Sequence, residues 1–242
     1  ARFDVIGISG HAYMGRPSEW TMTPSGTRQF ALEMARLKDK YAGIIDVFCG
    51  VEQDVLAPVP EVKFDFVIGA CHAVDAGGEL VYADASPEHL RAGVERHFGG
   101  DYYAFVRAYY ETVAAIGRDF TPDFVAHFDL VTKYNEGGLF FDEDDPRYRA
   151  AAISALIAVM ERVRVFEINT GGMYRAGRSV PYPAPFILRE IRARGGEILL
   201  TSDSHDAASL GYRYDLAAEL ARSAGFRYAK VLTPRGFISV PL

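Results

Sequence analysis

The sequence predicts an α/β fold that closes into a barrel. Apolar runs of strand length alternate with segments of helical periodicity along the chain, a pattern typical of a largely parallel sheet joined by helices. No low-complexity segment or Ser/Gly linker interrupts this alternation, so residues 1–242 are expected to form one domain. Six successive predicted strands each present His, Glu or Asp at or just past the C-terminal end. In a barrel these ends meet on one face, whereas an open sheet concentrates its ligands at a switch point, so the distribution favours the barrel.

Composition limits the classes of function. Of 242 residues, 49% are hydrophobic and 24% are charged, which is ordinary for a globular protein with a sizeable core. The net charge of −6 argues against non-specific binding of nucleic acid or an anionic membrane. No apolar run approaches the ~20 residues of a membrane span, and two cysteines do not make a disulfide framework. We therefore expect a cytoplasmic protein whose partner is a small molecule; its oligomeric state stays open.

The strand predictions depend on short runs rich in Val, Ile and Phe. These runs lie at residues 3–11, 44–50, 64–72, 120–125, 163–168 and 198–200, and a β-rich tail covers 230–242. The helix predictions depend on apolar residues spaced three and four apart, such as Phe30, Met34 and Leu37. Helices are expected at about 27–41, 86–98, 101–117, 147–161, 185–194 and 215–224, and residues 73–86 have the composition of a loop.

One strand carries the most informative motif, Asp203-Ser204-His205, directly after the apolar run 198–200. In an extended chain, side chains two apart point to the same face. Asp203 and His205 therefore converge, as a pair of metal ligands or half of an acid–base pair. An Asp in a turn can also simply bind its own backbone.

Other strand ends repeat this chemistry. Four of the six histidines close an apolar run, and Glu52 ends the second strand. A single histidine at a strand end is often structural, but a set in register with two acids predicts a metal site. The candidate ligands are His11, Glu52, His72, His127, Asp203 and His205. Nitrogen and oxygen ligands suit zinc, manganese or iron.

Two further acids and two cations lie near these strand ends. Asp54 follows Glu52 on the same face and could support a ligand, contact substrate or be solvated; Glu167 could orient a ligand or pair with an arginine. Lys133 and Arg175 lie where strands give way to loops. Metal together with fixed cations suits a phosphate ester, because a guanidinium fork matches phosphate oxygens. Either cation could instead be a surface charge.

Together these segments resemble the polymerase-and-histidinol-phosphatase superfamily of metal-dependent phosphoesterases, and within it the histidinol-phosphate phosphatases. The segments that carry the resemblance span nearly the whole chain in the family's order: Ile6–His11, Leu37–Tyr41 leading to Gly50–Asp54, Phe64–His72, Ala126–Leu130, Glu167–Gly171 and Thr201–His205.

The resemblance implies a distorted (β/α)7 TIM-like barrel that holds up to three divalent metal ions. Glu52 would bridge two metals, His72 and His127 would complete one of those sites, and Asp203 would ligate the other. His11 and His205 would belong to the third. The implied reaction is hydrolysis of L-histidinol phosphate to L-histidinol and phosphate in histidine biosynthesis. Arg175 and Lys133 would bind the phosphoryl group, and Asp203 or His205 would protonate the leaving alkoxide.

The sequence departs from the family pattern in one respect. The family opens with a strand that bears a His-x-His pair, and the only histidine before residue 72 is His11, whose context fits the family's second strand. We therefore expect a chain that lacks the first strand and helix of the fold. Two alternatives stay open at this stage. One is a related enzyme acting on another small phosphate ester, and the other is an inactive metal-binding or regulatory relative.

Overall fold

The computed structural model describes residues 3–242, and a twisted sheet of eight strands organises them. Its order is β1-β2-β3-β6-β7-β8-β9-β10; the strands β1 to β9 in this sheet are parallel, and β10 returns antiparallel to β9. A two-stranded antiparallel hairpin, β4-β5, stands apart from this sheet. The strands are β1 (Val5–His11), β2 (Asp46–Asp54), β3 (Phe66–Ala70), β4 (Ala73–Asp75), β5 (Leu80–Tyr82), β6 (Phe124–Val125), β7 (Val165–Asn169), β8 (Glu197–Thr201), β9 (Tyr228–Thr233) and β10 (Gly236–Pro241).

Seven α-helices connect the strands of the described chain. They are α1 (Pro24–Tyr41), α2 (Pro87–Phe98), α3 (Tyr102–Val113), α4 (Pro146–Met160), α5 (Gly171–Ala176), α6 (Pro185–Ala193) and α7 (Tyr214–Ser223). Three of them begin with the same local signal, a hydroxyl or carboxylate N-cap followed by proline, at Thr23, Ser86 and Asp145. The cap accepts a backbone N–H of the first turn, and proline at the first helical position loses no intrahelical bond. Among residues 3–242, no helix is both long and apolar enough to span a bilayer.

The sheet curls so strongly that distant strands touch across its concave side. The rings of Phe124 on β6 and Phe237 on β10, four strands apart in the sheet order, have centroids 6.2 Å apart. Phe66 fills the same interior. A Cβ at Gly50 would lie only 2.2 Å from the Phe66 ring, so only glycine leaves room for that ring. The β1 strand also approaches β9, which indicates a sheet bent towards closure.

The convex side of the sheet carries the larger core. Alternate residues of β7 and β8, among them Phe166, Ile168 and Ile198, point outward and pack under the helices. Helix α1 covers β1 and β2 through Met34, which packs with Val47. Successive side chains of a strand therefore alternate between the convex and the concave side of the sheet. The side chains on the concave side continue to the C-terminal end of each strand.

The predicted α/β class with a largely parallel sheet is confirmed, and most elements lie within a few residues of their predicted positions. Three predictions were wrong in detail. Residues 73–86 contain the β4-β5 hairpin rather than a loop, the strand predicted at 120–125 shrinks to Phe124–Val125, and Arg175 lies in the short helix α5 rather than in a loop. Strands of two or three residues are below the length that apolar periodicity can resolve.

Candidate metal centre

The predicted ligands lie together at the C-terminal ends of the parallel strands. His11 is the last residue of β1 and pairs in register with Glu52 of β2. His72 and His127 follow the last residues of β3 and β6 by two positions, and Asp203 follows β8 by two. Both His127 and Asp203 have positive φ, +20° and +44°. Backbone of this kind is uncommon outside glycine and concentrates at functional sites.

The Glu52 carboxylate is the centre of the cluster. Its Oε1 lies 3.0 Å from Nε2 of His127 and 3.1 Å from Nε2 of His72, and its Oε2 lies 3.5 Å from Nδ1 of His11. Donor atoms of His11, Glu52 and His72 all lie within 4.8 Å of one another, close enough to share one ion. His11 therefore lies beside Glu52 and His72, whereas the resemblance groups it with His205.

The groups of this cluster shift one another's pKa values. Burial by itself would raise the pKa of Glu52, but His11, His127 and His72 outweigh burial and hold that pKa well below its usual value. Burial would lower the pKa of His72, yet hydrogen bonds to Asp54 and Glu52 raise it well above its ordinary value. For His11, burial prevails and the pKa is lowered. The ionised Glu52 carboxylate thus favours positive charge on His72 and His127, and a divalent cation at this position would supply the same charge.

A second carboxylate supports each buried histidine, and for His72 it also bonds the ring. Asp54 Oδ2 accepts from the backbone N–H of His72 at 2.8 Å and lies 2.9 Å from its Nδ1. Since a carboxylate accepts, Nδ1 carries a proton, so Nε2, which lies beside Glu52, is the nitrogen that would ligate an ion. Of the three roles open to Asp54, its geometry therefore fits the support of a metal ligand.

Glu167 supports His127 through a hydrogen bond to its backbone. Its Oε1 accepts from the backbone N–H of His127 at 2.6 Å and from Asn169 Nδ2 at 2.7 Å, and its Oε2 accepts from Thr201 at 2.7 Å. No arginine or lysine forms an ion pair with Glu167 among the described residues. Burial raises the pKa of Glu167, and these donors oppose that effect. Of the two roles open to Glu167, the structure supports orientation.

The strand end that carries Asp203 and His205 is more open. Asp203 Oδ2 accepts from Arg175 at 2.5 Å and from Asn169 at 3.2 Å, and its Oδ1 lies 3.5 Å from Nε2 of His205. Arg175 also donates to the Asp203 carbonyl oxygen. Burial would raise the pKa of Asp203, but His205 and then Arg175 lower it to about 2. The His205 side chain is 58% exposed, so it faces solvent.

Lys133 reaches a partner that its sequence context does not suggest. Its Nζ lies 3.1 Å from the carbonyl oxygen of Asp84 and 3.4 Å from the Asp84 carboxylate, and Tyr134 donates to the same carbonyl oxygen at 2.8 Å. Asp84 follows the β4-β5 hairpin, so only the fold brings it to Lys133. The buried Arg178 donates to the Thr132 carbonyl oxygen and ties the loop after α5 to the Lys133 segment. Sequence reasoning missed both Asp84 and Arg178, because neither closes a strand.

Comparison with known proteins identifies relatives along most of the chain. No family model matches the sequence. A protein named histidinol-phosphatase from Deinococcus radiodurans is 30% identical over 216 residues, which cover 86% of this chain and 76% of that protein. A crystal structure of a histidinol phosphatase from Listeria monocytogenes superposes with a TM-score of 0.73 at 20% identity, covering 88% of both chains.

A second solved structure shares the fold. The histidinol phosphate phosphatase from Lactococcus lactis, crystallised with zinc, L-histidinol and phosphate, superposes with a TM-score of 0.64 at 18% identity and covers 97% of this chain and 87% of that one. At these identities the two structures establish the fold alone. The Deinococcus relative, matched over most of both sequences, establishes more: the chain belongs to the histidinol-phosphatase family.

Proposed function

We propose that this chain is a metal-dependent phosphomonoesterase that hydrolyses L-histidinol phosphate to L-histidinol and phosphate. The observation that carries the proposal is the cluster of His11, His72 and His127 around the buried Glu52 carboxylate, in which donor atoms of His11, Glu52 and His72 lie close enough to share an ion. The relatives named histidinol-phosphatase support the substrate, and the Lactococcus complex holds the two products of that reaction. The finer architecture, a distorted (β/α)7 barrel, belongs to the same proposal.

The residues present fit a divalent metal. Three imidazoles and a carboxylate form a donor set suited to zinc, manganese or iron. His127 Nδ1 is buried with no hydrogen-bond partner within residues 3–242, as expected of a ring whose orientation serves something other than packing. His11, Glu52, His72 and His127 would hold metal. The resemblance assigns Asp203 and His205 to the remaining ions of a set of up to three, whereas we assign His205 to proton transfer, and His205→Ala separates these two roles. When bound, such metals lower the pKa of water and neutralise charge on phosphate oxygens.

Arg175 and Lys133 are proposed to bind the phosphate group. A guanidinium has five N–H donors, and Asp203 engages Arg175 without using all of them. Lys133 is held by Asp84, which leaves its ammonium group one donor. Each cation is therefore fixed in direction before phosphate arrives, which is the arrangement that stabilises charge in a transition state.

His205 is proposed to protonate the leaving alkoxide. Asp203 accepts bonds from Arg175 and Asn169 and lies beside His205, so its carboxylate is committed as an acceptor. His205 is both next to this acceptor and open to solvent. A histidine held by a carboxylate and accessible to substrate is suited to deliver a proton.

A phosphate-release assay tests the function. The purified chain is supplied with Zn²⁺ or Mn²⁺ and assayed on L-histidinol phosphate beside a nucleoside monophosphate, a sugar phosphate and phosphoserine. We expect release from L-histidinol phosphate, loss of release in excess chelator and its return with added metal. Full activity in chelator would contradict the metal scheme. Faster release from another ester would make that ester the substrate in place of L-histidinol phosphate. Bound metal without turnover of any ester would indicate an inactive metal-binding or regulatory protein.

A further inference from the structure

Trp20 lies at the metal centre, and the proposed mechanism gives it no role. Its ring centroid is 5.1 Å from that of His11 and 5.6 Å from that of His72. It also meets Tyr82 edge-on at 5.7 Å, and Tyr82 continues the aromatic surface to His89 at 5.9 Å. Despite these contacts the residue remains 40% exposed. A large aromatic side chain is therefore held at the mouth of a polar site with part of its surface in solvent.

The loop that carries Trp20 is tied to the metal ligands at both ends. The backbone N–H of Ala12 donates to the carbonyl oxygen of Glu52 at 2.9 Å, and the N–H of Met22 donates to the carbonyl oxygen of His11 at 3.1 Å. Ala12 and Met14 of this loop are buried. The loop thus leaves the sheet at His11 and returns to it, so the position of Trp20 is set by the same strand ends that position the ligands.

We propose that Trp20 recognises the imidazole ring of the substrate. This inference rests on the proposed function. It concerns the part of the substrate that the proposed phosphate-binding residues do not contact. L-Histidinol phosphate carries an imidazole and an ammonium group on the carbon chain that ends in the phosphate. An exposed indole offers that ring a stacking or edge contact, and offers its protonated form a cation–π contact. Tyr82 supports the indole from the side and completes an aromatic wall.

A matched pair of substrates isolates this contact. Removing the imidazolylmethyl group from L-histidinol phosphate gives 2-aminoethyl phosphate, which keeps the ammonium group, the two-carbon spacing and the phosphate. We expect Trp20→Ala to lower kcat/KM for L-histidinol phosphate by roughly tenfold, mainly through KM, the scale of one aromatic contact. The value for 2-aminoethyl phosphate should stay within about twofold of wild type. Trp20→Phe should recover part of the loss, and Tyr228→Ala, which removes an exposed aromatic at the opposite end of the sheet, should leave both values unchanged.

Fluorescence provides a readout that needs no turnover. Trp20 is the chain's one tryptophan, so its emission reports this position alone. We expect L-histidinol to change the emission of the metal-loaded protein saturably and ethanolamine to leave it unchanged. This titration decides the proposal even where 2-aminoethyl phosphate turns over too slowly to measure.

Three results would overturn the inference. If Trp20→Ala lowers kcat/KM equally for both esters and also lowers bound metal, the role of Trp20 is to protect His11 and His72 from solvent. Unchanged kinetics of Trp20→Ala on L-histidinol phosphate would leave the indole without a part in recognition. An emission that L-histidinol does not change would exclude contact. Failure of the proposed function is seen separately, because the wild-type chain would then release no phosphate from L-histidinol phosphate.

Discussion

The two halves of the candidate centre differ in burial and in what supports them. Around Glu52, the side chains of His72 and His127 are only 4% and 6% exposed; Asp54 bonds the His72 ring, and Glu167 bonds the His127 backbone. Around Asp203, one quarter of the carboxylate side chain is exposed and more than half of His205. The first half is built on β2 and on the residues that follow β3 and β6, whereas the second lies on the turn after β8.

This difference indicates that the two halves have different roles. A buried donor set whose ligands are supported by neighbouring carboxylates is suited to holding metal, since little reorganisation is needed on binding. An open acid–base pair beside Arg175 is suited to meeting a substrate that arrives from solvent and to exchanging protons with it. We therefore infer that phosphate approaches from the Asp203 side, and the predictions that follow separate the two halves.

The largest effect is expected at the centre of the buried half. Glu52→Gln removes the negative charge that three imidazoles surround, so we expect loss of bound metal. Activity should fall by more than about a thousandfold, because water without a metal has a pKa of ~15.7 and metal-bound water one of ~7. Metal analysis and phosphate release measure the two losses. Glu33→Gln, an exposed change on α1, is the matched control, and metal retained by Glu52→Gln would contradict the role of this carboxylate.

In the open half, His205→Ala should separate activity from metal binding. We expect kcat to fall about a hundredfold, within the range for loss of a general acid, while bound metal stays near the wild-type level. A proportional loss of metal and activity would instead assign His205 to the metal ligands, as the family resemblance implies.

Asp54→Ala tests the support of the buried half. Two bonds that orient His72 are lost, so we expect metal affinity to weaken by roughly 10- to 100-fold, the usual cost of losing a partner behind a ligand. Activity should return at saturating metal, because the ligand itself remains. Asp46→Ala, at the exposed opposite end of the same strand, is the control. Activity that saturating metal does not restore would indicate that Asp54 contacts substrate.

How far the sequence predicts this centre depends on the range of the contacts involved. The strand ends that carry Glu52, His72 and His127 are visible as apolar runs that stop at a polar residue, and the parallel sheet brings such ends together. Whether Asp54 supports a histidine or faces solvent depends on a partner 18 residues away in the chain. The pairing of Lys133 with Asp84 spans 49 residues and depends on the β4-β5 hairpin, whose strands are too short to give a periodic signal.

The smallest effect is expected outside both halves, at the cap of α4. Asp145 accepts from the backbone N–H of Arg147 at 2.8 Å and from its guanidinium, whose hydrogen bonds lower the pKa of Asp145 to about 2. A depressed pKa means that this stabilisation is complete above the ordinary value of 3.8 and is lost as the pH falls toward about 2. Asp145→Ala should therefore lower Tm by roughly 2–4 °C at pH 7, with the difference shrinking below about pH 4. Asp145→Asn keeps the cap without the charge and should lose less. Since Arg147, the partner of the Asp145 side chain, is not a residue of the candidate centre, kcat and bound metal should not change, and a change in either would mean that the helix layer influences the centre.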